Sequence, residues 1–241
     1  MTLKKSFLSI LCLTVGLIAS AETKTLKINK TIDAIEASAG VSVIYKPTTG
    51  GNTNVSISGD AKRIDIIDVK VSGKTLEIYP KHNRGNKKQN ISGVTVTVTA
   101  PIVREVEVSS GATIKCTNAI SSSTKKINLE ASSAGKISFS SLTASELDIE
   151  ASSGASISVA NLTATRIELE ASSGAHVKAT SVKADRLDCE ASSAGLINIT
   201  SGNANRGDFE ASSAGSIKAP GLKVNHSSID KSSAGSVKIA N

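Results

Sequence analysis

The stretch Leu147-Asp148-Ile149-Glu150-Ala151-Ser152-Ser153-Gly154-Ala155-Ser156-Ile157-Ser158-Val159 decides the fold. Apolar and polar residues alternate on either side of a Ser-Ser-Gly-Ala interruption. A period of two marks a strand with one buried face, and the small residues between the two runs mark a bend. The pattern then returns every 20 residues, with its acidic position at Glu130, Glu150, Glu170, Glu190, Glu210 and Asp230. One such repeat cannot bury its own apolar stripe, and both its edges carry unpaired backbone groups. Stacking solves both problems, so the sequence predicts an all-β solenoid in which like residues lie above one another at ~4.8 Å.

Outward from the quoted stretch, each repeat adds a corner with its own inward residues. These are Leu142, Leu162, Val182 and Leu222, followed two positions later by Ala144, Ala164, Ala184 and Val224. Three faces then enclose one core. The motif appears earlier in looser form at Glu107-Val108-Ser109-Ser110-Gly111-Ala112 and at Glu36-Ala37-Ser38-Ala39-Gly40. Between them, strand-like runs occur at Val41 to Tyr45, Val55 to Ile57, Ile64 to Val71, Leu76 to Tyr79 and Val94 to Thr99. We read residues 22–241 as one solenoid domain, with irregular coils and longer loops over 22–110 and regular coils over 111–241. An independent N-terminal sandwich over 22–100 is the alternative. The expected stack is about ten coils, ~45–50 Å long.

Residues 1–21 read as an export signal: Lys4 and Lys5 begin it, an apolar run follows from Phe7 to Ile18, and Ala19-Ser20-Ala21 offers a cleavage site. The run is shorter than the ~20 residues a membrane span needs, so no span is expected after cleavage. The formal charge of +7 falls to +5 without Lys4 and Lys5. That excess is spread along the chain, which favours solubility over nucleic-acid binding. Cys116 aligns with Phe139, Val159 and Ile199, and Cys189 with Leu129, Ile149, Leu169 and Phe209, so both are expected as buried small hydrophobes on different faces.

The chain resembles the head GIN domain family, described as putative autotransporter adhesins and common among Bacteroidetes envelope proteins. The likeness rests on Ile35-Glu36-Ala37-Ser38-Ala39-Gly40-Val41-Ser42-Val43, the hairpin-like step Gly73-Lys74-Thr75-Leu76-Glu77-Ile78, and Val94 to Pro101 leading into Glu107 to Gly111. Serial Ser-Ser-Gly and Ser-Ser-Ala-Gly turns complete it, where the family more usually has Gly-Ser-Gly. The resemblance implies a single-stranded right-handed parallel β-helix of the pectate-lyase-like kind.

Two outward features are candidate binding surfaces. The first is acidic: Asp148, Glu168, Asp188 and Asp208 form one column, and Glu130, Glu150, Glu170, Glu190, Glu210 and Asp230 form the next. Like charges ~4.8 Å apart in water repel by roughly 0.9 kcal/mol per pair before salt screening, so compensation is expected. Arg166, Arg186, Arg206 and His226, two residues earlier, are placed to supply it. Ca²⁺ held between carboxylates is the alternative use of the ladder, although its spacing is unlike an EF-hand or an Asp-rich nonapeptide repeat. The second feature is the basic stretch containing Lys81, Arg84, Lys87 and Lys88, expected as a protruding loop that meets an anionic partner or is a solvated tip.

Nothing in the sequence points to catalysis. His82, His176 and His226 accompany no Cys-His or Gly-x-Ser-x-Gly arrangement. A uniform carboxylate ladder lacks the two contrasting environments an acid/base pair needs. With no Trp and few aromatics, stacking platforms for sugars are missing. The expectation is a non-enzymatic envelope or secreted protein, periplasmic or at the cell surface. It needs no cofactor or metal and presents a rigid repeat surface to a protein or glycan partner. A polysaccharide lyase or hydrolase, and an assembly protein acting through its solenoid edge, are the alternatives.

Overall fold

A coil that bends at Ser-Ser-Gly must place residues in the left-handed region, and it does so at every turn. Ser133, Ser153, Ser173, Ser193, Ser213 and Ser233 all have φ between 45 and 51°. The residue after each serine is left-handed too, and the two turn spellings solve this differently. In Ser-Ser-Gly-Ala, Gly154 and Gly174 take φ of 70 and 71°. In Ser-Ser-Ala-Gly the alanine takes it, as at Ala194 with φ 62°, while Gly195 serves another need. A Cβ on Gly195 would lie 2.1 Å from the Ala171 carbonyl oxygen of the preceding coil. Successive turns are tied together, Ala194 N–H donating to Ser213 O and Gly174 N–H to Ser193 O, each at 3.0 Å.

The computed structural model describes residues 21–81 and 89–240. The expected signal segment therefore lies outside the described residues except for Ala21, as do Arg84, Lys87 and Lys88 of the basic stretch. The chain opens with β1 (Ala21–Ile28), β2 (Ala34–Ala37), β3 (Ser42–Thr48) and β4 (Thr53–Asp60). A single helical turn, α1 (Ala61–Ile64), is capped by the Asp60 carboxylate, which accepts from Lys62 N–H at 3.0 Å. Then come β5 (Ile67–Ser72), β6 (Thr75–Pro80), β7 (Thr95–Pro101) and β8 (Glu105–Val108). The regular part is β9 (Thr113–Ala131), β10 (Lys136–Ala151), β11 (Ser156–Ala171), β12 (His176–Ala191) and β13 (Leu196–Ala211). It ends with β14 (Ser216–Ala219), β15 (Leu222–Lys231) and β16 (Ser236–Ile239). The molecule is an all-β solenoid of about seven turns.

From β9 onward the coils stack parallel, and after two register shifts between β9 and β10, at Phe139/Ser141 and Ala144/Glu146, they do so in 20-residue register. Ile149 pairs with Leu129 and Leu169, and Leu169 in turn with Cys189. The inward residues form one buried hydrophobic cluster from Ile32 to Leu222, with partly buried residues from Leu26 to Ile239 packed against it. Cys116 and Cys189 are buried and free, as the column argument requires. Packing within columns is complementary: Phe209 is larger than Cys189 beside it, and the space comes from Gly207, where a Cβ would lie 2.7 Å from the Phe209 ring.

The first hundred residues do not wind in order. β2 precedes β6 and β8 in the chain yet lies between them, Glu36 pairing with Glu77 on one side and Glu107 on the other. Likewise β3 lies between β7 and β9. The chain reverses through β4, antiparallel to β7, and through β5, antiparallel to β6. β1 pairs antiparallel with β4. These reversing strands consume chain without completing coils, which is why there are about seven turns and not about ten. The connection from β7 to β8 must step past β3, and Tyr45 of β3 anchors it. Its hydroxyl donates to Pro101 O at 2.7 Å and accepts from Val103 N–H at 3.2 Å. Burial pushes the Tyr45 phenol up to about 12.

The last coil breaks the inward pattern. Ser227 stands beside Gly207 in a column otherwise filled by Leu147, Ile167 and Leu187, and Lys231 ends a column of alanines. Both are exposed, and a charged residue at this column position of the last coil discourages further strand pairing at the edge. Ile229, next to Phe209, is left 44 % exposed.

Candidate functional site

Along the last stretch of β10 to β13, into each Glu-Ala, residues alternate between buried and outward positions. The acidic face is thus a direct product of the repeat. The column Glu130, Glu150, Glu170, Glu190, Glu210 and Asp230 is in register from coil to coil. It also extends further than the regular repeat suggests. Glu107 pairs with Glu130, Glu36 with Glu107 and Glu77 with Glu36, so the line of carboxylates runs without a break from β6 to β15. The pairing of Glu77 was not foreseen, because it depends on the out-of-order winding of β2.

The two acidic columns have different fates. The one containing Asp148, Glu168, Asp188 and Asp208 is neutralised across coils. Arg166 bridges Glu168 at 3.3 Å and Asp188 at 2.7 Å, and Arg186 bridges Asp188 at 3.0 Å and Asp208 at 2.8 Å. Lys126 supplies the same service to Glu146 and Asp148 at 3.3 and 3.4 Å, a partner the sequence reading overlooked. Arg206 and His226 continue this basic column but make no ion pair among the described residues. Compensation therefore stops one column short: Glu130, Glu150, Glu170, Glu190 and Glu210 have no ion pair among the described residues either.

The electrostatics agree. Partial burial, and after it the charges of Glu150 and Glu190, push the Glu170 carboxyl above the usual carboxylate range. Glu130 is raised by partial burial and by Glu150, Glu105 and Asp148, and Glu107 by partial burial and by Glu36, Glu130 and Glu105. Between the two columns runs a shallow hollow of about 330 Å³, lined by Glu170, Arg186, Asp188, Glu190, Asp208 and Glu210 among others. No group of three or more His, Cys, Asp or Glu among the described residues is arranged to hold a metal ion.

Of the basic stretch, Lys81 is exposed and its ammonium donates to Asp65 O at 2.7 Å. A second concavity, of about 770 Å³, lies on the third face where the coil turns its corner. Its floor is the column Ala144, Ala164, Ala184 and Ala204. The corner alanines and Val224 are not uniformly inward: Ala144 and Ala204 are buried, whereas Ala164, Ala184 and Val224 are only half-buried. Ala164 and Ala184 pack against the core while still lining the groove.

A parallel β-solenoid with charge ladders on its faces defines a class: elongated repeat proteins that present a surface along their length. The chain belongs to the family described as putative auto-transporter adhesin, head GIN domain, whose model matches residues 31–160 and 148–241. Among solved structures it is similar to a putative adhesin from Bacteroides fragilis, at 19 % identity and TM-score 0.73, over 91 % of this chain and 98 % of that one. A putative lipid binding protein from Parabacteroides distasonis gives 15 % and 0.73 over 93 % and 98 %. A putative adhesin from Parabacteroides merdae gives 15 % and 0.67 over 89 % and 97 %. At these identities the likeness shows the fold. No curated protein matches the chain. No helix of the described residues is long and apolar enough to cross a membrane.

Proposed function

We propose that this is an exported, non-enzymatic protein of the cell envelope, working in the periplasm or at the cell surface, that binds a protein or glycan partner along its repeated faces. The observation that carries this reading is the uncompensated carboxylate column from Glu130 to Asp230, adjacent to a column whose charges are fully lattice-paired. A fold that can neutralise one ladder and leaves its neighbour bare maintains a repulsive line that packing does not require. An extended line of equivalent groups suits adhesion through many weak contacts, because effective concentration multiplies each of them. It does not suit hydrolysis, which needs one carboxyl held apart from another in its environment. Adhesin family membership supports an envelope role.

The test is adhesion of protein-coated beads to envelope preparations, comparing the wild type with the triple variant Glu150→Lys, Glu170→Lys, Glu190→Lys. The expected result is adhesion that falls with added salt and is lost in the folded triple variant. Release of reducing ends or unsaturated sugars from an acidic polysaccharide by the wild type would overturn the non-enzymatic reading.

A further inference from the structure

The groove on the third face has two walls of the same repeat spacing but unequal chemistry. On one side of the alanine floor stand Asp185, Asn205 and Asn225, linked to one another from coil to coil by hydrogen bonds. Asn205 Nδ2 donates to Asp185 Oδ1 at 3.2 Å, and Asn225 Nδ2 donates to Asn205 Oδ1 at 3.3 Å. At the same register nearer β9, the Ser145 hydroxyl donates to Lys125 O at 2.7 Å. On the other side stand Thr143, Thr163, Lys183, Asn203 and Lys223. Among the described residues none of these five side chains is engaged in a hydrogen bond or ion pair. One wall is cross-linked along part of its length, and the other is an open row of hydroxyl, amide and ammonium groups.

We infer that this groove seats a linear acidic glycan lying parallel to the solenoid axis, with its anionic groups on Lys183 and Lys223. Three observations favour a glycan. Hydroxyl and amide side chains both donate and accept, which is the complement of sugar hydroxyls. The floor offers only alanine methyls, with no pockets to receive the side chains of a peptide. The backbone of β11 to β13 is already paired to the coils above and below, so strand addition has no free edge there. The charge pattern then selects the kind of glycan. Lys183 and Lys223 stand two coils apart, ~9.6 Å at ~4.8 Å per coil, with neutral Asn203 between them. That spacing suits a chain that carries a carboxylate on alternate sugars rather than on every one. The lack of aromatic platforms keeps each contact weak, so binding strengthens with chain length as more coils are spanned.

This inference rests on the binding reading above but names a different face, so the two can fail separately. The probe is hyaluronate, whose carboxylates alternate along the chain, as a graded series of oligosaccharides titrated into the full protein by calorimetry. Dextran serves as the neutral control. Expected are binding that tightens with length and weakens with salt, no binding of dextran, and an affinity loss of about tenfold for each of Lys183→Ala and Lys223→Ala. Both lysines are exposed, so the variants should keep wild-type circular dichroism and Tm. Glu170→Gln together with Glu190→Gln, on the acidic face, should leave hyaluronate binding unchanged. The inference is overturned if the wild type ignores hyaluronate, if dextran binds equally, or if the double lysine variant binds like the wild type. It is also overturned if the acidic-face variant abolishes hyaluronate binding. Loss of bead adhesion on the Glu-to-Lys triple variant alongside absent hyaluronate binding would leave the broader reading standing and this one refuted.

Discussion

Leu169 and Glu170 are neighbours in the chain and face opposite sides of one sheet. Leu169 is fully buried in the core column with Ile149 and Cys189, while Glu170 stands in the bare acidic column. A lysine at 169 would have to lose its hydration inside the core, at a cost of several kcal/mol against a total stability of about 5–15 kcal/mol. A lysine at 170 would sit between Glu150 and Glu190 and relieve their repulsion. Circular dichroism should therefore find Leu169→Lys unfolded and Glu170→Lys folded with an unchanged or higher Tm. The same column sets a pH dependence. Glu130 and Glu170 have folded-state values above their unfolded ones, so their charged forms disfavour the fold. Their penalty is full above the folded values and is lifted as pH falls through them towards the unfolded value. Glu130→Gln with Glu170→Gln should thus raise the Tm at neutral pH, and the gain should shrink as the pH is lowered through the carboxylate range. A gain that grows on acidification would contradict the assignment. Residue-level orientation was legible because a period of two leaves no choice of face. Lys126 stands in the same 20-residue column as Arg166 and Arg186 and was missed because the acidic Glu146 between them interrupts the run of basic residues.

At the scale of the element, the turn is the part whose chemistry the sequence disclosed least. Ser-Ser-Gly-Ala and Ser-Ser-Ala-Gly look interchangeable, yet glycine answers a positive φ in one and a close carbonyl in the other. Gly195→Ala alone should cost about 1–3 kcal/mol, because its Cβ meets the Ala171 carbonyl and the backbone must give. Ala194→Gly alone removes the strain of a left-handed alanine, a gain on the order of 1 kcal/mol. Made together, the two changes recreate the Ser-Gly-Ala spelling of residues 153–155, which the fold already uses. Urea denaturation of all four proteins should therefore show the pair more stable than the sum of the single effects. Strict additivity would mean that the two turn spellings are not alternative solutions of one geometry. The corner groove was hidden for a related reason: an alanine in an inward column reads as core, whereas Ala164 and Ala184 are only half-buried and line the groove.

For the molecule as a whole, the repeat predicted the stack and its core, and the resemblance predicted the family. What it could not disclose was the order of the first coils. Glu36-Ala37-Ser38 and Glu107-Val108-Ser109 were recognisable as turns of the same kind, but placing β2 between β6 and β8 requires the reversal through β4, α1 and β5. That reversal is set by long-range pairing that carries no 20-residue period. From β9 onward no such reversal occurs, and each coil contacts chiefly the coils beside it. Stability there is a sum over coils and their interfaces. The central claim is that one 20-residue coil is the structural unit and that function lies on the surface such units extend. Its most direct test removes one unit. Deleting residues 152–171 joins Ala151 to Ser172, keeps every inward and outward column in register, and lets β10 pair with β12 as it now pairs with β11. Thermal unfolding followed by circular dichroism should show a folded, cooperative, shorter protein, whereas deleting only residues 152–161 should leave none. If the full-coil deletion unfolds, or if both deletions behave alike, the coil is not the unit and the account is wrong.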